Sequence, residues 1–183
     1  MNPINLDYVW MLTLRNSDTM EHLMTLYSLA VMSRAKTILE IGSGQSTFAL
    51  TAAANENEGE FYSIDLGRSS NLRLFPEGEG VLEKEPRYHS IEGNSMDVVW
   101  DKPVDFFFLD SGHTYQLTYD ELKKYTPFVK PGGFICMHDT GEYHNDAFQD
   151  CRRAMLVFLN EQPGWKFRTM NCQSGFTIIR KPL

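Results

Sequence analysis

The chain has 183 residues, 42% of them hydrophobic and 22% charged, which suits one soluble globular domain with a single substantial core. Its net charge of -7 argues against sequence-independent binding to nucleic-acid phosphates, which needs a basic face, while leaving room for a local basic pocket. Cys136, Cys151 and Cys172 show no paired spacing, so they fit free thiols in a reducing compartment better than a disulfide framework or a zinc site.

The amino terminus, Met1 to Asp7, has no basic stretch followed by an apolar block, and no apolar run approaches the ~20 residues of a membrane span. No signal peptide, no membrane and a cytoplasmic location are therefore expected. Residues 1–36 are expected to form a helical segment packed on the rest of a single domain spanning 1–183. Within it, Asp18 to Ser33 reads as a helix. Asp18 with Glu21 resembles a capping box, and Met20, Leu23, Met24, Tyr27 and Ala30 recur at helical spacing. Thr37–Ile41 is a short β-branched and aliphatic strand, followed by Gly42-Ser43-Gly44 and a helix from about Thr47 to Ala54. Asn55 to Gly59 turns the chain into a second strand over 60–64, ending at Asp65.

Pro76, Gly78 and Gly80 break any long helix between Gly67 and Pro86, and an irregular, mobile crossover is expected there. A third strand, Tyr88–Ile91, leads into Gly93-Asn94-Ser95. Val104 to Leu109 is, apart from Asp105, an apolar run of the kind covered on both faces, and it ends at Asp110. Thr114 to Tyr125 reads as a helix with Leu117 and Leu122 facing inward. Lys130-Pro131-Gly132-Gly133 is expected to turn the chain into strand Phe134–Met137. A helix from about Ala147 to Asn160 and two strands, Lys166–Met170 and Gly175–Arg180, complete the pattern. This βα alternation predicts an α/β domain of the Rossmann-like, doubly wound type. Its seven-stranded sheet is mostly parallel, with one antiparallel strand at the carboxyl terminus.

Ligands of open α/β sheets sit outside the carboxyl ends of the strands. Four such ends carry polar groups here: Glu40 with Gly42 and Gly44, Asp65, Asn94 with Ser95, and Asp110. Glycines allow a tight turn and close backbone approach to a ligand. Asp65 lies about 20 residues beyond Gly44, the distance at which an acidic residue accepts hydrogen bonds from ribose hydroxyls. A lone aspartate after a strand would more simply cap a turn; beside the glycine loop, ribose binding is favoured.

The motifs Glu40-Ile41-Gly42-Ser43-Gly44, Ser63-Ile64-Asp65, Gly93-Asn94-Ser95 and Phe107-Phe108-Leu109-Asp110 resemble, in that order, the class I S-adenosylmethionine-dependent methyltransferases. Leu109 to Tyr115, Asp120 and the stretch from Lys130-Pro131-Gly132-Gly133 through His138-Asp139-Thr140 are similar to the macrocin- and mycinamicin-type sugar O-methyltransferases. Catechol and caffeoyl-CoA O-methyltransferases are more distant relatives of that group. The resemblance covers roughly Thr37 to Thr140. It implies S-adenosylmethionine as cofactor, with Gly42, Ser43 and Gly44 giving backbone contacts to its methionine and ribose portions. Glu40 would act close to those portions, Asp65 would hold the ribose hydroxyls, and Asn94 and Ser95 would border the adenine. Asp110 completes the strand-end set around the cofactor. Ser46 stands where a third glycine is often found, and Thr47 departs from the dinucleotide pattern, which lowers the rival reading of an NAD(P)-dependent oxidoreductase. A second rival is a non-catalytic nucleoside-cofactor-binding protein.

His113 lies three residues after Asp110, where strand gives way to helix. A histidine titrating near neutrality suits removal of a hydroxyl proton, and the resemblance implies that role; the plainer alternative is a helix-capping imidazole. Asp110, Asp139 and His138 form a candidate site for a divalent metal, magnesium or manganese, that would orient an acceptor hydroxyl and lower its pKa. A ligating His138 shifts preference away from magnesium; alternatively it faces the core or bonds Asp139. Glu142 to Asp146 suit either an acceptor-facing loop or a solvated turn. Lys123, Lys124, Arg152 and Arg153 read as charged helix faces, and Trp165 and Phe167 as packing residues. Met11, Met20, Met24 and Met32 suit packing on the sheet or a homo-oligomer contact. The expected partner is a small-molecule acceptor, not nucleic acid.

Overall fold

The computed structural model describes residues 4–14, 20–67, 80–142, 149–172 and 174–183. Its centre is β4 (Val104–Leu109), flanked by β1 (Thr37–Ile41) and β5 (Val129–His138). The sheet runs β3-β2-β1-β4-β5-β7-β6, with β2 at Glu60–Asp65, β3 at Tyr88–Glu92, β6 at Lys166–Met170 and β7 at Phe176–Arg180. Pairings among β1 to β5 are parallel, and β7 is antiparallel to both β5 and β6, so the one reversed strand is the last.

Side chains along a strand alternate between faces, and β4 uses both for bulk apolar groups. Phe106 and Phe108 join Ile38, Phe61 and Cys136 in a core under α1 (Leu6–Thr13), α2 (Met20–Met32) and α3 (Gln45–Glu56). Phe107 and Leu109 join Leu39, Ile64 and Ile135 in a second core under α4 (Tyr115–Tyr125) and α5 (Gln149–Asn160). Helices thus cover both faces of a Rossmann-like sheet. Val9, Leu12, Leu23 and Leu26 carry the amino-terminal helices into the first core.

The chain winds outward from β1 through β2 to β3, then returns to start β4 on the other side of β1. The crevice at that reversal is where such sheets bind ligands. Registers Ile41↔Leu109, Ile41↔Ile64 and Asp65↔Glu92 bring the four loop-bearing strand ends to one level.

Two expectations about elements change. The helix after the glycine loop starts at Gln45 rather than Thr47, because the Thr47 hydroxyl accepts the Gly44 N–H at 3.0 Å and closes the first turn. Lys130 to Gly133 is not a separate turn: it lies inside β5, with a register shift between Val104 and Phe106 and with Gly132 at φ +75, its N–H shared between the carbonyls of Lys181 and Pro182. The Asp18 cap, residues 68–79 of the crossover and Tyr143 to Asp146 lie outside the described residues. Met24 packs on the first core, whereas Met11 and Met32 are exposed.

Candidate active site

A cavity of about 310 Å³ opens at the carboxyl ends of β1 to β4. Ile64, Leu66 and Leu117 give it apolar walls, and Gly42, Ser43, Asp65, Asn94, Ser95 and Asp110 bring six of the eight residues expected at a cofactor site into its lining. Its size falls within the ~300–1,000 Å³ of small-molecule sites. Leu66 is 76% exposed, an apolar side chain held at the cavity mouth directly after Asp65.

Gly42 sits at φ +90, and a Cβ there would lie 1.9 Å from the Asp110 carbonyl oxygen, so only glycine lets the β1 loop pass beneath the end of β4. The loop's N–H groups point into the protein: Gly42 donates to Ile64 O at 2.9 Å, Ser43 to Asp65 Oδ2 at 2.7 Å and Gly44 to Thr47 Oγ1. Asp65 also accepts from Gly67 N–H at 3.1 Å through Oδ1.

Gly44 and Glu40 are the two cofactor candidates that do not line the cavity. Glu40 is fully buried on the α3 side of β1, where Ser46 Oγ (2.6 Å), Thr47 Oγ1 (2.7 Å) and Ser63 Oγ (2.7 Å) all donate to its carboxylate. Burial pushes its carboxyl up to about 7 against the pull of those hydroxyls. Glu40 therefore braces the loop from behind. The same contacts explain Ser46 and Thr47, the two departures from glycine-rich patterns.

Beside this cavity, and sharing Asp110, Ser111 and Gly112 with it, is a smaller recess lined by His113, Met137, His138, Asp139 and Cys151. His113 Nε2 lies 2.7 Å from Asp139 Oδ2, with His113 half-exposed and Asp139 buried. The Asp139 hydrogen bond raises the His113 pKa above its ordinary value, against the opposing effect of burial. Burial also acts to raise the Asp139 carboxyl, but hydrogen bonds from His113 and His138 hold it well below the usual carboxylate range. Asp139 adopts φ +55, a left-handed conformation that is uncommon for a non-glycine residue.

Ligand atoms of Asp110, His113 and Asp139 all lie within 4.8 Å of one another, a spacing compatible with one divalent cation. The expected set is Asp110, Asp139 and His138; here His113 meets the same two aspartates, and His138 is buried beside them. Its Nδ1 lies 3.5 Å from Asp110 Oδ1 and 3.4 Å from Asp139 Oδ1, while Nε2 is buried with no hydrogen-bond partner among the described residues. Burial opposes a charge on His138, but the two carboxylates outweigh it and push its pKa up to about 10. Its ring packs edge-on against His22 of α2 at 5.2 Å.

Three functional groups escaped the sequence reading. Glu121 is completely buried and lines the main cavity, yet it lies on the α4 face of Thr118, Leu122 and Tyr125, whose i, i+3, i+4 and i+7 spacing marks the inward side. Ser111 donates to it across the cavity floor. Lys124 is no plain surface cation: Nζ donates to the carbonyls of Ser95, Met96 and Val98 at 2.7–2.8 Å. Trp165 packs on Phe158 as expected, but Phe167 is 38% exposed. All three cysteines are unpaired, and no helix among the described residues is long and apolar enough to cross a membrane.

Comparison with known proteins agrees with this geometry. The O-methyltransferase from Bacillus cereus in complex with SAH (S-adenosylhomocysteine) has a TM-score of 0.71 at 16% identity, over 99% of this chain and 92% of that one. An SAH-bound methyltransferase from Podospora anserina gives 0.70 at 16%, over 100% and 89%. The O-methyltransferase TomG from Streptomyces achromogenes, in complex with SAM, gives 0.63 at 19%, over 93% and 82%. At these identities the likeness is one of fold. A family model described as a methyltransferase domain matches residues 39–140, more than half of the chain, and includes all four strand ends. The chain therefore belongs to the methyltransferase-domain family.

Proposed function

We propose that the protein uses S-adenosylmethionine to methylate a hydroxyl oxygen of a small molecule or sugar. The observation that carries this reading is the junction of two sites at Asp110: a cavity with an acidic residue and apolar walls on one side, and a histidine–aspartate pair on the other. Family membership favours it over a nicotinamide-dependent oxidoreductase.

The residues fit the donor. Asp65 uses one acceptor site of each carboxylate oxygen on Ser43 and Gly67, and an ionised carboxylate has about four such sites, so it retains capacity for ribose hydroxyls. Leu66 and Leu117 offer faces for a flat base, with Asn94 and Ser95 at its edge. Gly42 and Ser43 border the ribose and methionine portions, and Glu40 keeps the loop in place. When bound, the donor supplies a methyl group made electrophilic by a positive sulfonium.

His113 is the general base. Its Nε2–H donates to Asp139, so Nδ1 takes the acceptor's proton, and the buried carboxylate fixes the tautomer and steadies the imidazolium. A divalent cation is the alternative to that base: it would be held by Asp110 and Asp139 with a His113 nitrogen given up to it, a mixed oxygen–nitrogen set that suits manganese better than magnesium. It would supply Lewis acidity to the acceptor oxygen.

Incubation with methyl-labelled S-adenosylmethionine and a panel of hydroxylated acceptors tests transfer, and thermal shifts with S-adenosylhomocysteine and NADH test the donor. The reading requires stabilisation by the first and not the second; stabilisation by NADH alone overturns it.

A further inference from the structure

We propose that Glu121 is a positioning residue that makes the donor cavity selective for the 6-amino group of adenine, by holding the hydroxyl protons of Ser95 and Ser111 so that both oxygens face the ligand as acceptors. The inference rests on the S-adenosylmethionine reading above and assigns a specificity to one end of that cavity.

Ser95 Oγ donates to Glu121 Oε1 and Ser111 Oγ to Oε2, each at 2.5 Å, the short range of a hydroxyl bonded to a carboxylate. Ser95, Ser111 and Glu121 all line the cavity. A serine hydroxyl has one proton and two lone pairs. Once both protons are committed to the carboxylate, the two oxygens can only accept. A ligand carbonyl placed against these two oxygens meets their lone pairs, whereas an exocyclic amino group brings two N–H bonds to them. Adenine carries that amino group; its deaminated counterpart carries a carbonyl oxygen at the same position.

The hydroxyls cannot readily turn away. The Tyr125 hydroxyl donates to the Ser95 carbonyl, and Lys124 Nζ binds the same carbonyl at 2.8 Å, so the Ser95 backbone is held from two directions. Ser111 follows Asp110, whose N–H is tied to Ile41 O at 2.9 Å. Burial pushes the Glu121 carboxyl above its usual range, and the Ser111 and Ser95 hydroxyls together with Lys124 act against that push.

The test is calorimetric binding of S-adenosylhomocysteine and of its deaminated analogue, S-inosylhomocysteine, to the wild-type protein and to Glu121→Gln and Ser111→Ala. The wild type should prefer the adenosyl compound by at least about tenfold, the scale of one unmet hydrogen bond in a closed site. In Glu121→Gln the amide donates to one serine and frees that serine's proton for a ligand carbonyl, so the preference should fall at least about fivefold. Ser111→Ala, at a half-buried position where little packing is lost, should also reduce the preference and keeps the test valid if Glu121→Gln does not fold. A purely structural role for Glu121 would weaken both compounds in equal proportion and leave the ratio unchanged, which overturns the inference. So does a wild type without preference. Failure of the wild type to bind S-adenosylhomocysteine at all instead overturns the donor reading.

Discussion

His113 Nε2 approaches Asp139 Oδ2 to 2.7 Å, so a half-exposed imidazole is clamped by a buried carboxylate that stands 26 positions later in the chain. If this pair removes the acceptor proton, His113→Ala should lower turnover by ~100-fold or more while leaving the S-adenosylhomocysteine dissociation constant unchanged. Unaltered turnover on a true acceptor contradicts the role. A base works only when deprotonated, and Asp139 raises the His113 pKa above 6.5. The rate should therefore climb as pH rises through that raised value, and Asp139→Asn should move the acidic limb of the pH–rate profile to lower pH. A limb that stays in place excludes Asp139 as the group that tunes His113.

Asp65 binds the Ser43 and Gly67 N–H groups and lines the cavity. Asp65→Ala removes a charged acceptor from ribose hydroxyls and should weaken S-adenosylhomocysteine binding by about 10- to 100-fold, the range of a hydrogen bond to an ionised group. Calorimetry reads the change directly. Equal affinity in the variant would place the ribose elsewhere.

Much of this arrangement could be read from the chain, and the limits are physical. The apolar run Phe106 to Leu109 in β4 marked a strand covered on both sides, and the strand-end residues Gly42, Asp65, Asn94 and Asp110 followed from the βα pattern. The pairing of His113 with Asp139 depends on β4 and β5 lying side by side, a long-range fact that local periodicity does not encode. For the same reason the sequence offered His138, and not His113, as the nitrogen ligand beside the two aspartates. Glu40 looked like a ligand contact because its cage of Ser46, Thr47 and Ser63 forms only when α3 folds over β1 and β2 comes alongside. Glu121 escaped that reading although a signal was there, since it shares the inward helical phase of Thr118, Leu122 and Tyr125.

His22 is buried in α2, stacked on Phe176 and edge-on to His138. Burial and the nearby His138 depress its pKa to about 4, against the weaker pull of Glu21, Asp110 and Asp139. A histidine that titrates lower when folded binds fewer protons than its unfolded form between pH 6.5 and about 4, so folding stability should fall as pH falls through that window. The His22→Leu variant should lose less Tm than the wild type over the same interval. Parallel Tm curves for the two proteins would contradict the assignment.

Asp110, His113 and Asp139 bring three ligand atoms within 4.8 Å. Treatment with a chelator should lower turnover, and manganese should restore it more fully than magnesium. Asp139→Asn should abolish the response. A chelated enzyme that keeps its full rate removes the cation from the account and leaves His113 acting alone.

The most direct measurement is a crystal structure of the protein with S-adenosylhomocysteine. The account predicts ribose hydroxyls on Asp65, the base between Leu66 and Leu117 with its amino group toward Ser95 and Ser111, and the sulfur turned toward His113. Electron density for the ligand outside that cavity, or a sulfur facing away from His113, would contradict it.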